Sequence, residues 1–127
     1  MSRGWDRQRI ERTLIVLIAM HSYAVGLALM FLTRWGTQLG GWPHVEPLFF
    51  ARQAGVFHLL IATAYLLEYF RNGTVTLLVL AKITAVVFLV AMMVVEPAPW
   101  AVPMSALADG LMAVMVLGVR KMARRAG

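Results

Sequence analysis

The chain has 127 residues, 61% hydrophobic and 14% charged, with a mean hydropathy of +0.74. A soluble domain of this size runs nearer half apolar and a quarter charged, so composition points to a membrane protein. The net charge of +6 would suit a nucleic-acid binder, but Arg3, Arg7, Arg9 and Arg12 precede the first apolar run and Arg120, Lys121, Arg124 and Arg125 follow the last, as cytoplasmic flanks of membrane spans do.

A span needs roughly 20 mainly apolar residues. Four such spans take up about 80 residues of the chain on that figure, so a single transmembrane domain over residues 1–127 is expected, with short tails and loops. The chain has no cysteine, which excludes disulfides, thiolate metal sites and c-type haem attachment.

Residues 1–13 are polar and basic and read as a tail along the cytoplasmic headgroups, with a single Trp5. Residues 14–32 are apolar apart from His21, Ser22 and Tyr23. The run is longer than a signal-peptide h-region and polar in its middle, so it reads as a retained first span. Residues 33–47 form the longest connection, where Gly36, Gly40, Gly41 and Pro43 argue against regular helix. Trp35 and Trp42 within it suit an interface.

The second span covers residues 48–70 and stops at Arg71-Asn72-Gly73, a turn with a helix-stop glycine. The third covers residues 74–95 and breaks at Glu96-Pro97-Ala98-Pro99. The fourth covers residues 100–119, with Pro103 in the first turn, where a missing N–H costs little. Lys and Arg concentrate in both tails and at Arg71. The positive-inside rule therefore predicts that both tails and the Arg71 turn are cytoplasmic.

Ionisable residues inside these spans carry the functional signal. Counting about 1.5 Å per residue from the cytoplasmic ends places His21, His58, Lys82 and Asp109 at roughly 14–18 Å, near the middle of a ~30 Å hydrocarbon core. Arg52 comes out at about 27 Å by the same count, close to the outer surface. On the second span Arg52, Gly55, His58, Ala62 and Tyr65 share one helical sector, opposite Val56, Phe57, Leu60, Ala64 and Leu67. Lys82 shares a side with Leu78, Ala81 and Ala85, and Asp109 with Ser105, Ala106 and Ala113.

The third and fourth spans are joined by a short turn, so Lys82 and Asp109 make the simplest ion pair. It reads either as a structural pair fixing register or as a proton-handling or ligand-anchoring site. His21 and His58 read as interior hydrogen-bonded histidines, as ligand contacts, or as axial ligands of a b-type haem whose propionates Arg52 would meet. His44 lies in the outer loop, where it reads as solvated. Glu68, Tyr69 and Arg71 read as interface anchors, and the nine methionines as packing filler. No phosphate loop, nucleophile elbow or zinc-protease motif is present, and no metal is expected.

The head of the second span, Pro47-Leu48-Phe49-Phe50-Ala51-Arg52-Gln53-Ala54-Gly55, resembles the DoxX-like small bacterial four-helix membrane proteins. Arg52, Gly55 and Asp109 match that family's Arg-x-x-Gly and fourth-helix acidic residue. The resemblance implies an all-α, four-helix transmembrane bundle. Some members are tied to quinone-linked sulfur oxidation, an activity not carried over to a chain without cysteine.

The sequence thus predicts a non-enzymatic membrane protein, either an accessory subunit or the binder of a quinone- or isoprenoid-like molecule at His21, Arg52, His58, Tyr65, Lys82 and Asp109. The alternatives are a small proton-coupled transporter or channel, and a membrane redox enzyme or haem b anchor. Expected partners are the lipid bilayer, a second copy in a homo-oligomer, or a larger membrane complex, and no nucleic acid.

Overall fold

The computed structural model describes residues 2–125, with side-chain surroundings from residue 6 onward. The Arg3 and Trp5 side chains thus lie outside the described ones. Five helices follow in order: α1 (Ser2–Phe31), α2 (Thr33–Leu39), α3 (Phe49–Asn72), α4 (Thr76–Val95) and α5 (Ala101–Arg125). No strand occurs among the described residues, and α1, α3, α4 and α5 are each long and apolar enough to cross a membrane. These four form an all-α bundle with the character of a multi-pass membrane protein.

Besides the end of α5, which runs to Arg125 rather than to 119, two boundaries differ from the sequence reading. Residues 2–13, expected as a tail along the headgroups, continue α1 without a break. The reason is a buried stripe that extends backwards at helical spacing through Ser22, Ile18, Ile15 and Glu11. The second difference is α2, formed where the glycines argued against regular helix. Leu32 leaves helical geometry at φ −117°, ψ 43°, so α2 turns away from α1 rather than extending it. Within it the Thr33 hydroxyl donates to the Leu29 carbonyl (2.6 Å) and the Thr37 hydroxyl to that of Thr33 (2.9 Å). Both threonines are buried, and this anchorage holds the turn despite Gly36, whose helix-interior cost is only about 1 kcal/mol.

The remaining helix ends follow from local chemistry. Gly73 sits in the left-handed region at φ 66° and its N–H donates to the Tyr69 carbonyl, ending α3. Pro97 forces Glu96 into extended backbone (φ −148°, ψ 156°), ending α4. The start of α4 is capped from the preceding helix. Glu68 Oε1 accepts from the Thr74 hydroxyl at 2.6 Å and the Thr76 N–H at 3.0 Å, and Oε2 accepts from the Leu77 N–H at 2.7 Å. The sequence reading made Glu68 an interface anchor; it is instead the N-terminal cap of α4. Glu68→Ala is therefore expected to destabilise the fold by about 1–2 kcal/mol, the usual scale for losing a helix cap. Hydrogen exchange should quicken first at the Thr76 and Leu77 amides, and unchanged protection there would refute the capping role.

Around the bundle, α1 packs on α3 and α4 on α5, with α1–α5 and α3–α4 as the smaller contacts. Among the described residues α1 and α4 lie diagonally apart, as do α3 and α5. Both chain ends lie at one end of the bundle with the Gly73 turn, held by Arg7 donating to the Met122 carbonyl (2.7 Å) and Arg120 to that of Gly73 (3.0 Å). At the opposite, distal end the Trp100 indole donates to the Leu39 carbonyl (2.9 Å), docking α2 on the α4–α5 connection. Trp35, Trp42 and Trp100 are all exposed at this end.

The buried core is small and formed by Ile15, Ile18, Ala19, Ala62, Tyr65, Leu78 and Val116 with Val75. Around it the outer surface is apolar, with Phe31 73% and Val94 83% exposed. An apolar exterior of this extent is foreign to soluble monomers. In lipid, helix association draws on close packing and interhelical hydrogen bonds rather than on transfer from water. The contacts between α1 and α3 are of that kind. Their backbones meet at Gly26 and Gly55, where an added Cβ on either residue would fall under 3.0 Å from the other's carbonyl oxygen. Nearer the centre, the Tyr23 hydroxyl and Thr63 Oγ1 lie 2.6 Å apart across the same interface.

Candidate functional site

On α4 the buried face consists of Leu78 and, one turn further on, Lys82. On α5 Ala106 and Ala113 are buried on either side of Asp109, and their small side chains bring the two helices together at its level. Lys82 Nζ donates to Asp109 Oδ1 at 2.7 Å, with the two side chains 7% and 15% exposed. That is the short distance of a charge-assisted bond. Inserted alone, either charge would cost roughly 2.5–3.5 kcal/mol on the translocon scale. In contact, each supplies the other's counter-charge.

The other helices bring polar groups to the same level. Tyr65, 3% exposed on α3, turns its phenol towards Ser22 of α1 and lies within electrostatic range of Asp109. His21, also on α1, lies within electrostatic range of Lys82, Asp109 and His58. His21 is itself on the exposed side of the bundle rather than in its interior. The buried Lys82–Asp109 pair thus has a titratable neighbour, His21, on the exposed side of the bundle. His58 is half-buried, with Nδ1 2.7 Å from the carbonyl of Ala54 on its own helix. A carbonyl only accepts, so Nδ1 carries the proton, and in the neutral ring Nε2 is left as an acceptor.

Arg52 is not part of this cluster. It is exposed near the distal end of α3 and makes no ion pair among the described residues. Its exposure near the head of α3 suits snorkelling rather than interior pairing. The sector proposed for α3 otherwise divides by burial: Gly55, Ala62 and Tyr65 are buried, while Val56, Phe57, Leu60 and Leu67 face outward. On α5, Ser105 is exposed and does not share the buried side of Asp109. His44 is exposed in the distal loop, where Arg34 and Glu46 form a solvent-side pair at 2.9 Å.

A second interior ion pair was missed by the sequence reading. Arg120 Nη1 of α5 donates to Glu11 Oε1 of α1 at 2.8 Å, with side chains 18% and 12% exposed. The signal for it was present: Glu11 precedes Ile15 by one turn on the stripe that forms the core. Among the described residues no group of three or more His, Cys, Asp or Glu side chains converges. Compared with family models, curated proteins and solved structures, the chain finds no match.

Proposed function

We propose that the chain is an inner-membrane protein with both termini cytoplasmic that binds the polar head of a lipophilic molecule of the quinone or isoprenoid class, without transforming it. The observation that carries this is a buried Lys82–Asp109 pair inside an otherwise apolar bundle, with His21 on the exposed side within electrostatic range of both. A water-soluble substrate would need an aqueous path to that depth. A molecule already dissolved in the acyl chains reaches His21 sideways, and its carbonyl or hydroxyl can exchange hydrogen bonds with His21, His58 Nε2 or the Tyr65 phenol.

The orientation is supported by the crowding of Arg7, Arg9, Arg12, Arg71, Arg120, Lys121, Arg124 and Arg125 at the end that holds both termini. The DoxX-like resemblance fits the same reading, with Gly55 at the α1–α3 crossing and Asp109 in the polar centre.

Organic extraction of the protein purified in mild detergent, followed by mass spectrometry, tests the proposal. One lipophilic species should be enriched over bulk membrane lipid and fall at least tenfold in a His21→Ala/Tyr65→Phe variant that retains the ion pair. Recovery of bulk lipid alone from the unaltered protein would refute the ligand-binding reading and leave that of an accessory subunit. That His21 lies within electrostatic range of Lys82, Asp109 and His58 supports a second reading, a proton-coupled transporter or channel. Proton flux through reconstituted protein that disappears in Asp109→Asn would favour it over simple binding.

A further inference from the structure

The end of the bundle that holds the termini carries a groove that the polar centre does not use. It is open-sided, about 810 Å³ in volume, and lies between the start of α4 and the last turns of α5. Its mouth is basic, formed by Arg120, Lys121, Arg124 and Arg125. Its wall, one to two turns deeper, is apolar and includes Leu80, Ile83 and Leu117.

The mouth is only partly neutralised. Arg120 is held by Glu11 and by the Gly73 carbonyl, which fixes the end of α5 against the α3–α4 turn. Lys121, Arg124 and Arg125 meet no carboxylate among the described residues. Three positive charges therefore sit above a strip of exposed aliphatic side chains, Leu80 at 59%, Ile83 at 49% and Leu117 at 47% exposure. A free phosphate would satisfy the mouth and leave the wall unused, and a neutral lipid would do the reverse. An anionic headgroup carrying acyl chains matches both, in charge and in order along the helix axis.

We infer that this groove is a site for one anionic phospholipid of the cytoplasmic leaflet, its phosphate held by Lys121, Arg124 and Arg125 and an acyl chain lying on Leu80, Ile83 and Leu117. Basic pockets between transmembrane helices on that side recognise such headgroups. The inference rests on the membrane-spanning orientation proposed above and is independent of any ligand at the polar centre. Each basic residue near an anionic surface is worth about fivefold in affinity, so three together contribute about a hundredfold.

Native mass spectrometry of the full chain in detergent, titrated with phosphatidylglycerol or phosphatidylcholine, provides the test. The unaltered protein should retain one phosphatidylglycerol at least tenfold more strongly than phosphatidylcholine. A Lys121→Gln/Arg124→Gln/Arg125→Gln variant should lose that preference. An Arg9→Gln/Arg12→Gln/Arg71→Gln variant, which removes three charges outside the groove at the same end, should change it less than twofold. Leu117→Trp, which fills the wall without altering charge, should weaken retention at least fivefold.

Equal loss in both charge variants would overturn the site in favour of diffuse attraction. Insensitivity to Leu117→Trp, with displacement by soluble glycerol phosphate, would overturn the lipid and leave a phosphate site. Resistance of the protein to alkaline extraction from membranes, measured alongside, separates failure of the groove from failure of the membrane-spanning reading.

Discussion

Asp109→Ala is expected to cost the fold about 3–5 kcal/mol, the scale for removing one partner of a buried ion pair. The substitution leaves Lys82, 5% exposed, beside an empty space and without its counter-charge. Most of the loss is the penalty on the stranded ammonium rather than the strength of the bond. The pair's own contribution is better read from replacing both members. Lys82→Met/Asp109→Leu is expected to recover most of the lost stability, because buried pairs are often matched by apolar residues of similar volume. Reversible unfolding in mixed micelles of increasing dodecyl sulfate, followed by helix content, measures all three proteins. A cost under 1 kcal/mol for Asp109→Ala would mean that Lys82 reaches another acceptor. If the double variant also keeps the co-purified lipophilic species, the pair is architectural and the ligand's polar contacts lie with Tyr65 and the histidines.

The second large effect is expected at the α1–α3 crossing. A Cβ on Gly55 would lie 2.7 Å from the Gly26 carbonyl oxygen and 3.0 Å from the Met30 backbone nitrogen. Both obstacles are main chain, which no rotamer change relieves, so the two helices must separate. Overpacking of this kind costs about 1–3 kcal/mol, and Gly55→Val belongs at or above the top of that range, because the movement opens the most extensive interface in the bundle. Gly118→Ala is the contrasting case, since nothing lies within 4 Å of its added Cβ. There the gain in helix propensity, up to about 1 kcal/mol, should emerge unopposed. Stability of Gly55→Val equal to that of Gly118→Ala would show that the crossing does not hold the helices together.

Both results bear on what could be read from the chain. The four long apolar helices were legible because hydropathy and breakers agree: Gly73 and Pro97 stop α3 and α4 for reasons visible in a handful of letters. The meeting of Lys82 with Asp109 was legible for a different reason, that a short connection leaves adjacent helices few alternatives. What failed was the facing of particular residues. Gly55, Ala62 and Tyr65 are buried as their sector implies, yet Arg52 of that sector and His21 of α1 lie on the exposed side. Glu11 was hidden by its company, since a carboxylate among arginines looks like tail until the buried stripe is followed back to it. Glu68 was opaque because its partners, Thr74, Thr76 and Leu77, lie across a turn in the next helix. In α2 the glycines pointed away from helix, yet seven residues form one, with Thr33 and Thr37 buried in it.

Both interior ion pairs draw their second member from α5: Asp109 answers Lys82, 27 residues earlier in the chain, and Arg120 answers Glu11, 109 residues earlier. Since a ribosome delivers the segments in order, Glu11 waits for its partner through most of this chain and Lys82 for a further 27 residues, and one late helix answers both. Without α5 the bundle would carry a stranded acid, Glu11, and a stranded base, Lys82, at once. A single helix thus sets the charge balance of the whole interior.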